Sequence, residues 1–315
     1  MSTGTTTTTM PRHLLRLGDL DRDAVQGLLD LAARMKDEPH GFLDAFRGET
    51  VACYFEKPST RTRVSFAAAA HRLGMLPLGL GPSELQLSRG ETIADTARTL
   101  SAYAAAIVMR TFRQADVDEM ARFATVPVVN ALTDEHHPCQ ALADLLTLRE
   151  RFGRLDGLRV AFVGDGDNNV VHSLIDATAL TGVELVVCSP AECRPSDEVV
   201  RSARDAGGAV ELALEAADGV AGADAVYTDV WVSMGDEAGT VERHASLRPF
   251  SVTPQVMASA KPGAIFLHCL PAHRGEEVVD EVIDGPRSVV WQQAANREPT
   301  EQALLYALVA RNREG

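Results

Sequence analysis

This 315-residue sequence predicts an α/β protein: two doubly wound parallel-sheet domains joined by helices, with an active site in the cleft between them. Three observations carry that expectation. Short apolar, β-branched runs alternate with helical patterns along the whole chain, and strands this apolar belong to parallel sheets covered on both faces. Ten such runs are many for one sheet, and the length suits roughly two domains of about 150 residues each. Chemically capable residues follow the strands in both halves, and ligands in open α/β sheets bind outside the carboxyl ends of the strands.

Taken in order, the chain opens on MSTGTTTTTM, which lacks a basic region followed by an apolar one and so is not a secretory signal. Residues 1–10 read as a disordered tail that cannot bury apolar surface, with Met10 as an alternative start. Val25, Leu28, Leu29, Ala32 and Met35 recur at a helical period and predict the first helix. Strands are expected at 51–55, 76–80, 105–109 and 126–130. A helical stretch from Cys139 to Phe152, ending at Gly153, is the expected bridge to the second half. Strands are expected there at 158–163, 183–188, 209–213, 224–228, 264–270 and 289–292. The last helical pattern, Glu301–Arg311, is expected to pack back on the first domain. The domains are thus 11–150, with a returning helix in 298–315, and 151–297.

Composition narrows the function classes. Hydrophobic content of 45% and charged content of 23% are those of an ordinary globular protein. A formal charge of −14 argues against nucleic acid or an anionic membrane as partner, since either wants a basic face. No apolar run approaches the ~20 residues of a membrane span. Five irregularly spaced cysteines fit reduced thiols in a cytoplasmic protein better than a disulfide framework.

A local basic cluster stands out in so acidic a chain. In YFEKPSTRTRVSF, Lys57, Arg61 and Arg63 interleave with Ser59, Thr60 and Thr62 where a strand should turn into a helix. Ser59 or Thr60 can cap that helix, whose first turn offers free N–H groups and the positive dipole end. Arg61 adds a planar fork suited to phosphate oxygens. The target is phosphate or another compact oxyanion; the plain alternative is a capped helix with solvated basic residues. Arg110, after four apolar residues, leaves the sheet edge where such a ligand would sit, or else pairs with Asp134 or Glu135. His137 and Gln140 lie three apart at a helix start, able to donate to a carbonyl oxygen and accept from an amino group, while His136 is expected to face solvent.

In the second half, FVGDGDNN looks like a dinucleotide loop but lacks the third glycine and the acid after the next strand. It offers instead Asn168 and Asn169 at a helix start, suited to a carboxylate. TDVWVSMG supplies Asp229 for an ammonium group, with Ser233 and the Met234 backbone nearby. HCLP supplies Cys269, which is a ligand-facing thiol or a buried inert one. His268, Cys269 and His273 lack the spacing of zinc ligand runs, so no metal is expected.

The stretches FEKPSTRTR, MRTF, HPCQ, DVWVSMG and HCLP, in this order and at these separations, closely resemble the ornithine carbamoyltransferases, over roughly Leu14 to Arg313. STRTR, HPCQ and the arginine after the third strand are shared with aspartate carbamoyltransferases and imply carbamoyl phosphate, whereas SMG and HCLP are similar to the ornithine branch. The resemblance implies that Ser59, Thr60, Arg61 and Thr62 grip the phosphate, and that Thr62, Arg110, His137 and Gln140 surround the carbamoyl group. It implies carbamoyl phosphate contacts for Cys269, Leu270 and Arg297, and for Gln86 on a loop that reaches a neighbouring subunit's site. Asn169, Asp229, Ser233 and Met234 match ornithine-binding positions. One departure is visible: EPTEQ after Arg297 replaces the family's usual His- or Gln-containing pattern.

The activity that the resemblance implies is transfer of the carbamoyl group from carbamoyl phosphate to the δ-amine of L-ornithine, giving citrulline and phosphate in arginine biosynthesis. Residues 11–150 are then the carbamoyl phosphate domain and 151–297 the ornithine domain. Arg110, His137, Cys269 and Asp229 are the expected catalytic residues, and no cofactor, metal or covalent intermediate is implied. A homotrimer or multiple of it is expected, with Val232–Gly239 as a lid over the site. Rival readings are a carbamoyltransferase for putrescine or an N-acylated ornithine, a nicotinamide-dependent dehydrogenase built on GDGDNN, and a catalytically silent paralogue.

Overall fold

The computed structural model describes residues 10–232 and 240–314. The chain divides into two compact units: residues up to Leu142 together with those from Arg297 on, and Ala143–Asn296. In the first part run α1 (Arg22–Asp37), β1 (Thr50–Phe55), α2 (Thr60–Arg72), β2 (Leu76–Leu80), α3 (Ile93–Ser101), β3 (Ala106–Arg110), α4 (Gln114–Phe123), β4 (Val128–Leu132) and α5 (Pro138–Phe152). There follow β5 (Arg159–Val163), α6 (Asn169–Thr181), β6 (Glu184–Cys188), α7 (Asp197–Asp205), β7 (Ala209–Ala213), α8 (Ala216–Val220) and β8 (Ala225–Thr228). The chain ends with α9 (Thr240–Leu247), α10 (Pro254–Ser259), β9 (Ile265–His268), α11 (Asp280–Ile283) and α12 (Val290–Glu314).

Both sheets are parallel throughout, in the orders β2-β1-β3-β4 and β7-β6-β5-β8-β9. Every position of β3, β8 and β9 is buried, as continuous apolar runs between helical layers require. The outer strands β2 and β7 are largely exposed, and Pro77 sits on β2, where a missing N–H costs least. One core gathers Ile107, Met109, Val117, Met120 and Val128; the other gathers Val163, Val186, Val226, Phe250 and Phe266. In each sheet the strand order reverses beside the first strand of its unit, between β1 and β3 and between β5 and β8. Such switch points splay the loops at the carboxyl ends and open a crevice for ligand.

Two expectations fail here. Residues 289–292 are not a strand: the described residues hold nine strands, and Val290 opens α12, leaving only an isolated bridge between Phe266 and Ser288. Val289 and Val290 are both buried, Val290 within the second unit's core, and burial alone does not choose strand over helix in so short a run. The last helix likewise begins eleven residues before Glu301 and runs straight through Pro299. The proline removes one i→i−4 bond, and the buried Ala303, Leu304, Leu305 and Leu308 beyond it hold the helix in place. Ser233 and Met234, with the rest of the expected lid after Val232, lie outside the described residues, as does the tail before Met10.

Candidate active site

At the carboxyl edge of the first sheet, Ser59 takes extended backbone (φ −160°, ψ 118°) and its hydroxyl accepts from the Thr62 N–H at 3.3 Å. That cap satisfies one amide of α2 and leaves the rest of its first turn open to an acceptor. The three cations of this segment have different partners. Lys57 is buried, paired with Asp134, and lies 4.4 Å over the Phe112 ring. Arg63 stacks on Phe55, in the space left by Gly79, where a Cβ would come within 2.9 Å of its Nη2. Arg61 is the one whose charge bears on His137.

Arg110 ends β3, where the register with β4 slips: Met109 faces Asn130 but Arg110 faces Leu132. Such a bulge re-aims the side chain that follows it, and Arg110 is 7% exposed. Pro138 opens α5, so His137 stands just before the helix and Gln140 in its first turn, both buried. Arg297, from α12, completes the group: its Nη1 donates to Gln140 Oε1 at 2.8 Å and its Nη2 to Thr62 Oγ1 at 3.2 Å. Burial first, and then the charges of Arg297, Arg110 and Arg61, hold the His137 imidazole well below its usual range, so the ring is neutral at pH 7. Three guanidinium charges bear on an uncharged buried histidine, which makes this edge attractive to an anion with a polar, uncharged end.

The second unit builds its edge on β5, β8 and β9. Gly164 has φ +131°, which excludes a side chain, and at Gly166 a Cβ would sit 2.7 Å from Val187 Cγ1 and 2.9 Å from the Cys193 carbonyl. These glycines serve close packing of the loop on its own sheet. Asn168 caps α6, its Oδ1 accepting from the Val170 and Val171 amides at 2.9 Å each, which leaves Asn169 as the half-buried polar residue of the pair. Asp229 follows β8 and accepts from Cys269 Sγ at 2.9 Å. Cys269 is half-buried, so the buried-thiol alternative does not describe it.

Leu270, at φ +59°, occupies the left-handed region that side chains avoid, and its N–H donates to His268 Nδ1 at 2.8 Å. Because Nδ1 accepts there, Nε2 carries the proton and donates to Glu277 Oε1 at 3.1 Å. The His268 amide donates to Gln293 Oε1 at 2.9 Å, while Gln293 Nε2 and the Tyr227 hydroxyl both donate to Asp144, at 2.7 and 3.1 Å. A strained turn held by a buried network presents Cys269 beside Asp229.

Residues 12–150 match the aspartate/ornithine carbamoyltransferase carbamoyl-P binding domain and residues 156–308 the Asp/Orn binding domain of the same family. This chain belongs to the aspartate/ornithine carbamoyltransferase family. An ornithine carbamoyltransferase of Methanoculleus marisnigri is 47% identical over 306 residues, covering 96% of this chain and 98% of that protein. An anabolic ornithine carbamoyltransferase of Pyrococcus furiosus is 48% identical over 303 residues, covering 93% and 95%. The solved structure of the Pyrococcus furiosus ornithine carbamoyltransferase has a TM-score of 0.88 at 46% identity, with 93% and 96% of the two chains covered. That of Thermus thermophilus has 0.87 at 39%, with 96% and 100% covered.

Within this carbamoyltransferase chain, Thr62, Arg110, His137, Gln140 and Arg297 are buried at one edge of the first unit, with Arg61 half-buried near them and Thr60 exposed. Gln86 is exposed on the turn Gln86–Arg89, where its amide accepts from Arg89 at 3.3 Å. His136 is half-buried, contrary to its expected solvent exposure, because its N–H is drawn in to Thr133 Oγ1 at 3.0 Å. Asp134 is claimed by Lys57 rather than by Arg110. Sequence reasoning missed Asp144, Tyr227, Glu277, Gln293 and Glu301 as supports. Their one sequence signal is a polar residue at a position that a helix or strand pattern assigns to the core.

Proposed function

We propose that this protein transfers the carbamoyl group of carbamoyl phosphate to the δ-amine of L-ornithine, giving L-citrulline and phosphate in arginine biosynthesis. The observation that carries the reading is a buried, neutral His137 under the charges of Arg297, Arg110 and Arg61, with Arg297 bonded to both Gln140 and Thr62 in the first turns of α5 and α2. That surrounding suits a dianionic phosphoryl group joined to an uncharged carbamoyl end. Ser59, Thr60, Arg61 and Thr62 bind the phosphate, with Gln140, Cys269, Leu270 and Arg297 about the carbamoyl group. Asn169, Asp229, Ser233 and Met234 bind ornithine.

The chemistry is dictated by charge. The neutral δ-amine adds to the carbonyl carbon, and its lone pair becomes the new C–N bond. Arg110, neutral His137 and Thr62 donate hydrogen bonds to the oxygen as it gains charge. The tetrahedral centre collapses as the C–O bond to phosphorus breaks and the electron pair leaves with phosphate, stabilised by Arg61 and the α2 amides. The amine sheds one proton, to Asp229 or to the departing phosphate. Ornithine's amine has a lysine-like pKa near ~10, so Asp229 and Cys269 must select and orient its minor neutral form. A His137 that is already neutral acts as a donor of a hydrogen bond and stores no proton.

The proposal extends to a cytoplasmic homotrimer in which Gln86 reaches the neighbouring subunit's carbamoyl phosphate. The exposure of Gln86, Leu76 and Leu78 supports that reading; sedimentation showing a single-chain species at working concentration would reject it. The function itself is tested by citrulline formation with ornithine, putrescine, N-acetylornithine and aspartate as parallel acceptors. Turnover with ornithine alone is expected; turnover with another acceptor alone would remove ornithine as the substrate and leave the carbamoyl phosphate half intact.

A further inference from the structure

Arg297 and Glu301 lie one turn apart on α12, at 2% and 1% exposure. Glu301 Oε1 accepts from both Arg297 Nε at 3.0 Å and Nη2 at 2.7 Å. With Gln140 Oε1 and Thr62 Oγ1, three acceptors on three helices fix the plane of this guanidinium. Glu301 alone among them is anionic. A carboxylate placed here does two opposed things: it aligns the arginine, and it cancels charge that an incoming anion would otherwise meet. It also lies in EPTEQ, where the sequence leaves the family pattern.

We propose that Glu301 is a positioning residue for carbamoyl phosphate, orienting Arg297 toward Thr62 and Gln140 while tempering the charge it presents to the ligand. The inference rests on reading the arginine cluster as the carbamoyl phosphate site. The charged and titratable groups facing Glu301 are few. On α12 there are Arg297 and Glu298, the latter paired with Arg72 of α2; Cys53 of β1, Cys139 of α5 and the Ser65 hydroxyl of α2 complete the set among the described residues, with Arg63 of α2 beyond Cys53. Burial pushes both thiols up, Cys53 to about 12, so neither supplies charge near neutrality. Burial also pushes the Glu301 carboxyl up to about 7, against the pull of Arg297. Below about 7 the protonated carboxyl leaves the Arg297 charge uncompensated; above it the carboxylate offsets that charge. Anion affinity contributed through Arg297 therefore falls as pH rises through the neutral range.

The test compares wild type with Glu301→Gln, which keeps the acceptor oxygen and carries no charge at any pH. Two quantities are read from pH 6 to 8.5: the Kd for inorganic phosphate and the KM for carbamoyl phosphate. The ligand's own ionisation is common to both proteins and cancels in their ratio. E301Q is expected to match wild type near pH 6 and to bind up to about tenfold more tightly near pH 8.5, the factor that one pKa unit of coupling gives. Turnover at saturating carbamoyl phosphate should change less than threefold. Glu301→Ala, which loses the alignment too, should raise KM at every pH, and Glu301→Asp should restore the pH dependence in part. A wild-type to E301Q ratio that is flat with pH, in enzymes that both turn over carbamoyl phosphate, would overturn the role of Glu301 alone. Failure of wild type to bind phosphate or use carbamoyl phosphate would overturn the functional reading and this inference together.

Discussion

Replacing Glu277 by alanine should unfold the second unit more easily and, in the same stroke, loosen its substrate edge. Glu277 Oε1 accepts from His268 Nε2 at 3.1 Å and from the His273 amide at 2.5 Å, and both the Glu277 and His268 side chains are 0% exposed. In Glu277→Ala the His268 N–H is left with no acceptor and no access to water, while the His273 amide, on a partly exposed turn, finds water more easily. An orphaned buried donor costs about 1–3 kcal/mol, so the pair should cost about 2–4 kcal/mol. For a unit of this size each kcal/mol lowers Tm by about 2–4 °C, giving a drop of roughly 5–15 °C. The kinetic effect follows from the other nitrogen of the same ring. His268 Nδ1 holds the Leu270 amide in a left-handed turn, so a ring free to rotate releases Cys269 from its place beside Asp229. The KM for ornithine should rise several-fold, and that for carbamoyl phosphate should rise with it, because Cys269 and Leu270 of the same turn also border the carbamoyl group in the proposed site. Calorimetry and initial-rate kinetics read both quantities, and Glu277→Gln, which keeps an acceptor oxygen, should recover more than half of each loss. An alanine variant melting within 2 °C of wild type, with ornithine KM unchanged, would refute the account of the HCLP turn.

Other perturbations probe the first unit. Arg110→Ala removes an oxyanion donor and should lower kcat by about 10²–10³-fold with the ornithine KM little changed; equal losses in both would count against that role. Ser59→Ala removes the cap of α2 and should cost about 1 kcal/mol, with the KM for carbamoyl phosphate rising as the first turn frays. An unchanged denaturation midpoint would sink the capping account. His13 is held down at about 4 by burial and by Arg12 and Arg311, and its Nδ1 accepts from the Val128 amide. Its folded pKa lies below the unfolded 6.5, so stability is present above 6.5 and is lost as pH falls from 6.5 toward 4. Denaturation across that window should show His13→Gln with a shallower acid loss than wild type; parallel curves would dismiss His13 as the source.

The sheets were legible because nine of the expected runs are strongly apolar and end in turn chemistry: Val51–Phe55 and Ile107–Met109 admit little else once helices flank them. What was not legible depends on contacts between distant residues. Val289–Val290 reads as a strand by propensity, yet it becomes a helix start because its neighbours Gln293 and Asn296 reach Asp144 and Thr147 on α5. Pro299 reads as a helix stop, and the core beyond it overrides the lost bond. At the site, Arg61, Arg110, His137 and Gln140 follow strand ends and could be named from that alone. Lys57 carries the same signal and serves instead to join the ends of β1 and β4 through Asp134. Buried carboxylates such as Glu277 and Glu301 have no local pattern at all; each is intelligible only once its partner histidine or arginine is in place.

Arg297 belongs to the first unit although 154 residues separate it from Leu142, where that unit's first segment ends. The core of that unit is finished by Leu304, Leu305, Leu308 and Val309, which are synthesised long after its sheet. On the ribosome, therefore, the N-terminal sheet waits with an open apolar face, and without Arg297, until α12 has been made. A chain interrupted before Arg297 would carry the first sheet without the guanidinium that bonds Gln140 and Thr62, and so without the cross-link that ties α2 to α5.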